Sequence, residues 1–325
     1  MKYSHKKYLF KYGQGQRFVD LLRRVHMSKK RQVSLYSVIK IFFKNIKEDD
    51  ILDRANGVAY NFILAIFPTI IFLFTLIPYI SSVIPDVNTN SIMEFLGSMM
   101  PQSMYEVVAS TIEDIIGNSR GGLLTFGVLF ALFLATNGMM ALMRAFNACY
   151  NTQEKRGLIK TRLIATGLTL NLSLVLFLAV ILLVVGQLVL DYVLAYLPEF
   201  AWLNADTYTL YLLFVLRFVV IFIVFFLAIA TIYYFGPAIH YDWRFFSLGS
   251  LIATLGTMGV SYGFSYYITH FGSYNKIYGS IGVLIALMIW VQLVTTVLLF
   301  GYEIDASIHE AKTKAALWEA RKKNA

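Results

Sequence analysis

Long apolar stretches alternate with short polar segments along this 325-residue chain. Six of the apolar stretches reach the length of about 20 residues that a helix needs to cross the hydrocarbon core of a bilayer. Five contain no Asp, Glu, Lys or Arg, and the sixth is interrupted only by Arg217. Backbone amides that face lipid must be paired, and no barrel-like alternation is present, so each stretch is predicted to be a helix. The predicted helices span residues 57–84, 122–143, 163–190, 208–235, 245–268 and 280–302.

The pattern predicts an all-α polytopic membrane protein with interfacial amphipathic helices. Residues 1–54 form a basic N-terminal segment, residues 55–305 a six-helix transmembrane domain, and residues 306–325 a polar tail that we expect to be frayed. Within 33–46, apolar residues and lysines alternate at helical spacing, which predicts a helix on the cytoplasmic leaflet. A second amphipathic helix is predicted within 86–120 on the outer leaflet, as a cap over the bundle or as a gate.

The composition agrees with a membrane protein. The chain is 58% hydrophobic and 14% charged, whereas soluble domains are about 45–50% apolar and about 25% charged. A bilayer is therefore needed to solvate the excess apolar surface. The single cysteine, Cys149, excludes an internal disulfide framework. The first 32 residues contain no apolar run of signal-peptide length, so no cleavable signal peptide is expected.

The distribution of cations orients the predicted helices. Residues 1–56 carry 14 of the 28 Lys and Arg residues, and the loops on the same side of the bundle bring this side to 25 cations. The opposite side holds only Arg120 and Lys276. Because cations concentrate in cytoplasmic loops, both termini are predicted to be cytoplasmic. The net charge of +9 is thus explained by topology. We expect anionic lipid headgroups as partners of the basic segment, and no nucleic acid.

Four sequence runs resemble a known family. They are RANGVAYNFILAIFPTIIFL at 54–73, ALMRAFNACYNTQEKRGLIKTR at 141–162, YYFGP at 233–237 and YGSIGVLIALMIWVQLVTTVLLFGYEIDA at 278–306. They are similar to the YihY/BrkB family of bacterial inner-membrane proteins, also labelled ribonuclease BN-like or UPF0761-type. The resemblance implies a six-helix fold in the bacterial cytoplasmic membrane and, at most, a suspected role in envelope or lipid transport. Its ribonuclease label looks like an inherited misassignment.

The residues themselves offer no catalytic centre. The five histidines are scattered singly, and no P-loop, G-x-S-x-G motif or pair of acids on one intramembrane helix face is present. Metal-dependent hydrolysis of RNA needs clustered ligands. We therefore expect no enzymatic activity, no metal and no cofactor, and we reject the nuclease interpretation.

Intramembrane polar residues are the strongest functional candidates. Burying Arg217 costs at least about 2.5–3.5 kcal/mol, so its side chain should face protein or water. It could bind a lipid phosphate, or it could extend to the outer headgroups. The nearest partners in the sequence are Gln187 and Asp191. Amides can line a polar path or join helices by hydrogen bonds. The candidate path comprises Arg217, Asn61, Asn137, Asn171, Gln187 and Gln292.

Two further groups of residues are predicted at helix ends and interfaces. A cytoplasmic ion-pair network is expected from Arg54, Arg144, Glu303 and Asp305, with a proton relay as the alternative. A ladder of small residues at four-residue spacing allows two backbones to approach closely, for static packing or for sliding. This ladder comprises Gly249, Ala253, Thr257 and Ser261.

These features favour transport or flipping of an envelope lipid or amphiphilic solute. No ATP-binding motif is present, so movement would be passive, ion-coupled or driven by a partner. The alternative is a non-transporting scaffold for envelope assembly that acts through the basic N-terminal segment. The oligomeric state stays open.

Overall fold

The computed structural model describes residues 26–28, 33–48, 50–83, 121–150, 152–175, 178, 208–238, 245–270 and 280–323. The predicted amphipathic helix within 86–120, the second half of the predicted helix 163–190 and the first 25 residues lie outside this part. The described elements are β1 His26–Ser28, β2 Val33–Ser34, α1 Leu35–Glu48, α2 Ile51–Val83, α3 Gly121–Cys149, α4 Leu158–Val175, α5 Tyr208–Phe235, α6 Leu248–His270 and α7 Ser280–Lys323.

The helical fold class is confirmed in the described part of the chain. The observed bounds of α2, α3, α5 and α6 lie within a few residues of the predicted bounds at most helix ends. Among the described residues, four helical segments are long and apolar enough to cross a membrane: Thr125–Cys149, Leu158–Val175, Phe218–Phe235 and Leu284–Lys322. The short antiparallel pair of β1 and β2, which joins His26 to Ser34, was not predicted.

The bundle is organised around α7. This helix packs against α6, α2, α3 and α1, while α2 packs against α3 and α5 against α6. Three aromatic rings form the centre of the core, with the Phe146 ring centroid 4.1 Å from that of Tyr302 and 5.3 Å from that of Tyr233. The Tyr233 hydroxyl donates to the Leu298 carbonyl oxygen at 2.5 Å. This bond satisfies a polar group that the aromatic core buries.

The prediction of a frayed tail after residue 305 is wrong. Helix α7 continues without interruption to Lys323. Its extension presents Ile308, Ala311 and Ala315 at helical spacing, and these residues form a small apolar cluster with Val33 and Val38. The tail is helical because this apolar stripe is buried against α1.

A clamp joins the loop after α3 to the end of α5. Arg156 donates from Nη2 to the Glu154 carboxylate at 2.7 Å and to the Gly236 carbonyl oxygen at 2.8 Å. Asn147 donates to Glu154 at 3.0 Å and accepts from the backbone N–H of Ala238 at 2.8 Å. These bonds satisfy backbone groups at the end of α5, where a helix leaves carbonyl oxygens unpaired.

Candidate functional site

A groove between α2 and α3 brings together two of the predicted site arginines. We call it the arginine groove. Its volume is about 300 Å³. Each helix contributes four residues at the spacing i, i+3, i+4, i+7, which is one face of a helix. The lining residues are Arg54, Gly57, Val58 and Asn61 on α2, and Ala141, Arg144, Ala145 and Ala148 on α3.

The two arginines differ in their surroundings. Arg54 is half-buried, and its Nη1 atom is buried without a hydrogen-bond partner in the described part of the chain. Arg144 is exposed. A buried charged donor without a partner costs about 1–3 kcal/mol or more. The groove is therefore lined by a guanidinium group whose Nη1 atom has no hydrogen-bond partner among the described residues.

The sequence predicted that two carboxylates of α7, Glu303 and Asp305, would pair with these arginines, but each carboxylate binds a different part of the bundle. Glu303 is completely buried, with 0% of its surface exposed. Its Oε1 atom accepts hydrogen bonds from Asn45 Nδ2 of α1 at 2.9 Å and from Ser307 Oγ at 3.2 Å. Asn45 also donates to Glu310 at 3.2 Å. One amide of α1 thus bridges two acids of α7.

Asp305 binds the start of α6 instead. Its Oδ1 atom accepts from the backbone N–H of Gly249 at 2.9 Å, and its other oxygen is buried without a hydrogen-bond partner in the described residues. A carboxylate at a helix N-terminus satisfies unpaired N–H groups and complements the helix dipole.

The residues of the predicted ion-pair network therefore lie in three separate places. In the described part of the chain, neither Arg54 nor Arg144 forms a salt bridge with Glu303 or Asp305. The reason is geometric: the arginines line the α2–α3 groove, whereas the carboxylates face α1 and α6. The positions of Glu303 and Asp305 in the sequence did not show which neighbouring helix each side chain of α7 would face.

The small-residue ladder lies where α6 meets α7. A methyl group at Gly249 would collide with the Gly301 carbonyl oxygen and the Asp305 carboxylate. A methyl group at Gly301 would lie 2.6 Å from the Ala253 Cβ. Along the same face, Ala253 and Thr257 are buried, and Ser261 accepts a hydrogen bond from Trp290 at 3.2 Å. The two backbones touch because both helices lack side chains at the closest point.

The predicted polar path is represented by four amides in the described region. Arg162 of α4 donates to Asn137 of α3 at 2.8 Å, and Gln292 of α7 donates to Asn56 of α2 at 2.7 Å. Asn61 donates to Gly57 of its own helix at 2.8 Å, and Asn171 has a buried Nδ2 atom without a partner among the described residues. Two of these four amides thus join neighbouring helices. Gln187 and the side chain of Arg217 lie outside the described residues.

The comparison with protein families decides the identity of the bundle. A family model described as Virulence factor BrkB matches residues 42–324. The chain belongs to the BrkB family. It is 31% identical over 283 residues to YfkH, a ribonuclease-like protein of Bacillus subtilis, with 85% of this chain and 96% of YfkH covered. It is 29% identical to a UPF0761 membrane protein of Alteromonas mediterranea, with 85% of this chain and 89% of the relative covered.

No solved structure matches this BrkB-family chain. A UPF0761 membrane protein of Pseudoalteromonas atlantica is 26% identical to it over 279 residues, with 84% of this chain and 87% of the relative covered. The family assignment and the apolar helices identify a multi-pass membrane protein. Within the described residues, no three His, Cys, Asp or Glu side chains lie close enough to hold a metal ion.

Sequence reasoning missed two residues that contact or line these clusters, Asn45 and Gly57. Asn45 was overlooked because α1 was interpreted only as a membrane-surface helix. Asn45 lies between Phe42 and Ile46, on the apolar side of that helix. A polar side chain in such a position needs a hydrogen-bond partner, so it indicated a buried contact. Gly57 was also overlooked, although a glycine three residues after Arg54 leaves open space beside its guanidinium.

Proposed function

We propose that this BrkB-family protein transports or flips an envelope lipid or another amphiphilic solute. The observation that supports this proposal is the hydrogen bond between Asp305 and Gly249, which crosses the glycine contact between α6 and α7. An ionisable group buried in a membrane bundle costs folding free energy, so its presence points to a functional role. At Gly249 and Gly301 the contact is made by backbone, and neither residue contributes a side chain to it.

In this proposal, α6 and α7 have two relative positions. Asp305 stabilises the observed position because it caps α6 from α7. When the bond breaks, the backbone contact at Gly249 and Gly301 allows the helices to shift, since neither residue has a side chain to obstruct the movement. Substrate binding would provide the difference in free energy between the two positions, as any ligand-driven change requires.

We further propose six membrane-spanning helices with both termini in the cytoplasm of a bacterial cell, in the inner membrane. The predicted cytoplasmic side carries 25 Lys and Arg residues and the opposite side two, and this asymmetry supports the orientation. The basic N-terminal segment would contact anionic headgroups. Single cysteines introduced at residues 30 and 320 of a Cys149→Ala protein should both be labelled only from the cytoplasmic side. Labelling from opposite sides would exclude this topology.

The transport proposal is tested with purified protein in liposomes that contain a fluorescent phospholipid. Dithionite bleaches the outer leaflet, so lipid movement is read as loss of the protected fraction. Wild type should accelerate this loss relative to protein-free liposomes. Arg217→Leu should slow it, because the candidate path then lacks its cation. A wild-type rate equal to that of protein-free liposomes would contradict the proposal for phospholipids.

Two other activities are separated by parallel measurements. If the protein were a scaffold, deletion of residues 1–45 would abolish its function in cells, whereas Arg217→Leu would not. The name of the Bacillus relative makes RNA cleavage a further alternative to exclude. We expect purified protein supplied with Mg²⁺ or Mn²⁺ to leave RNA intact. Cleavage that is lost on substitution of a single acidic residue would favour the nuclease instead.

A further inference from the structure

We propose that the arginine groove is a binding site for a phosphate-bearing anion. This inference rests on the proposed function only in treating the bound anion as the polar part of the transported substrate. Three independent features of the groove support it: its paired guanidinium groups, its small lining residues and its position at the first turns of α2.

The first feature is unsatisfied positive charge. Arg54 Nη1 is buried without a hydrogen-bond partner in the described structure, and Arg144 lines the same groove from α3. Guanidinium groups present planar pairs of N–H donors that match two phosphate oxygens. Two arginines on facing helices can therefore bind one phosphate from both sides, and the exposed Arg144 is free to adjust.

The second feature is space. The groove exists because Gly57, Ala141, Ala145 and Ala148 occupy the positions between the cations. An added Cβ at Gly57 meets no atom within 4 Å, so this position opens directly to free volume. The volume of about 300 Å³ is at the lower end of the roughly 300–1,000 Å³ of small-molecule sites. A phosphate with a small attached group would fit.

The third feature is the start of α2. This helix begins at Ile51, so Arg54 and Gly57 occupy its first two turns. The partial positive charge of a helix N-terminus acts over the first turn, where Arg54 lies next to the acidic Asp53. Asn61, one turn further along, uses Nδ2 to donate to the Gly57 carbonyl oxygen at 2.8 Å and has a second N–H on the same atom.

Both a lipid headgroup and a free phosphate have this chemistry, and the choice of probes distinguishes them. Full-length protein in detergent is titrated by calorimetry with inorganic phosphate, with dioctanoyl phosphatidate and with dioctanoylglycerol, which lacks the phosphate. We expect phosphatidate to bind and dioctanoylglycerol not to bind. Comparable binding of inorganic phosphate would assign the site to a soluble anion. Equal binding of all three, or of none, would overturn the proposal.

Substitutions locate the binding. Arg54→Gln should weaken phosphatidate binding by at least about tenfold, because it removes a charged donor. Gly57→Leu should do the same by filling the groove, and it should fold because leucine forms helices better than glycine. Gly57→Ala should bind within about twofold of wild type, since a methyl group leaves most of the volume open.

Gly167→Leu is the matched control, because Gly167 is an exposed helical glycine of α4 whose added Cβ would also meet open space. It should bind like wild type. If Gly57→Leu is folded by size exclusion and still binds like Gly167→Leu, the groove is not the site. The liposome assay is independent: phosphatidate binding without lipid movement would refute transport and leave the groove assigned.

Discussion

Asp305 of α7 caps α6 by accepting a hydrogen bond from the backbone N–H of Gly249 at 2.9 Å. Ser247 and Ser250 complete the cap with two reciprocal hydrogen bonds. The Ser250 N–H donates to the Ser247 hydroxyl at 3.0 Å, and the Ser247 N–H donates to the Ser250 hydroxyl at 3.3 Å. The first turn of α6 is thus satisfied partly by its own serines and partly by a neighbouring helix. One carboxylate links the position of α6 to that of α7.

Loss of this cap should destabilise the bundle. Asp305→Ala should reduce the free energy of unfolding by about 1–2 kcal/mol, the usual range for a lost cap. Asp305→Asn should lose less, because its amide oxygen can still accept from Gly249. The measurement is thermal unfolding in detergent, with Glu319→Ala near the exposed end of α7 as the control. Equal midpoints for Asp305→Ala and Glu319→Ala would contradict the assigned bond.

The contact at Gly249 should tolerate no side chain. Gly249→Ala places a methyl group against the Gly301 carbonyl oxygen and the Asp305 carboxylate. We expect a loss of about 1–3 kcal/mol or more, as overpacking of a filled interior typically causes. Gly259→Ala is the matched variant, because a methyl group there meets open space. It should be neutral or stabilise α6 by up to about 1 kcal/mol. Similar unfolding midpoints for the two variants would disprove the close approach.

Asn45 should determine whether α1 stays docked. Its amide donates to both Glu303 and Glu310. Asn45→Ala removes these donors, at a cost of about 1–3 kcal/mol for a buried acceptor. Asn45→Asp should be worse, because a third carboxylate then faces two others. Trypsin cleavage within α1, followed by gel electrophoresis, should accelerate in the order wild type, Asn45→Ala, Asn45→Asp. Phe43→Ala, on the exposed face of α1, serves as the control. If the Asn45→Asp protein resists trypsin as well as this control does, α1 is not docked through Asn45.

The loop clamp should depend on pH. The hydrogen bond from Arg156 lowers the pKa of the Glu154 carboxyl below its usual value of 4.5. A group with a lowered folded-state pKa stabilises the fold above its unfolded pKa, and this contribution is lost as pH falls through the folded-state pKa. Wild type should therefore unfold at a higher temperature than Glu154→Gln above about pH 5, with the difference shrinking below about pH 4.5. A difference that is constant down to about pH 3 would refute the assignment.

Hydrophobic patterning predicted most of the described helices because the bilayer imposes it. An apolar run must become a helix of a certain length, whatever its neighbours are. The same argument failed after residue 305, where α7 continues as a helix that packs on α1. There the buried stripe of Ile308, Ala311 and Ala315 is narrow, and its partner Val38 lies far away in the sequence. A narrow stripe beside charged residues was interpreted as a solvated tail.

The sequence singled out charged residues at helix ends but did not show which of them contact each other. Arg54, Arg144, Glu303 and Asp305 were all identified, because charge at a helix end in a membrane protein is informative by itself. Their partners depend on the rotation of each helix about its axis, which places Arg54 in the α2–α3 groove and Asp305 against Gly249. That rotation is determined by tertiary packing, so a single sequence does not determine which charged groups pair.

Relative movement of α6 and α7 is the central claim, and a reversible cross-link tests it most directly. A Cβ at Gly256 would lie 3.9 Å from the Val297 Cβ, which is suitable for a disulfide. Gly256→Cys/Val297→Cys in a Cys149→Ala protein should move fluorescent phospholipid in liposomes when reduced. Oxidation should stop this movement, and dithiothreitol should restore it. Lipid movement at the same rate in the oxidised and reduced protein, with the cross-link verified by mass spectrometry, would contradict the account.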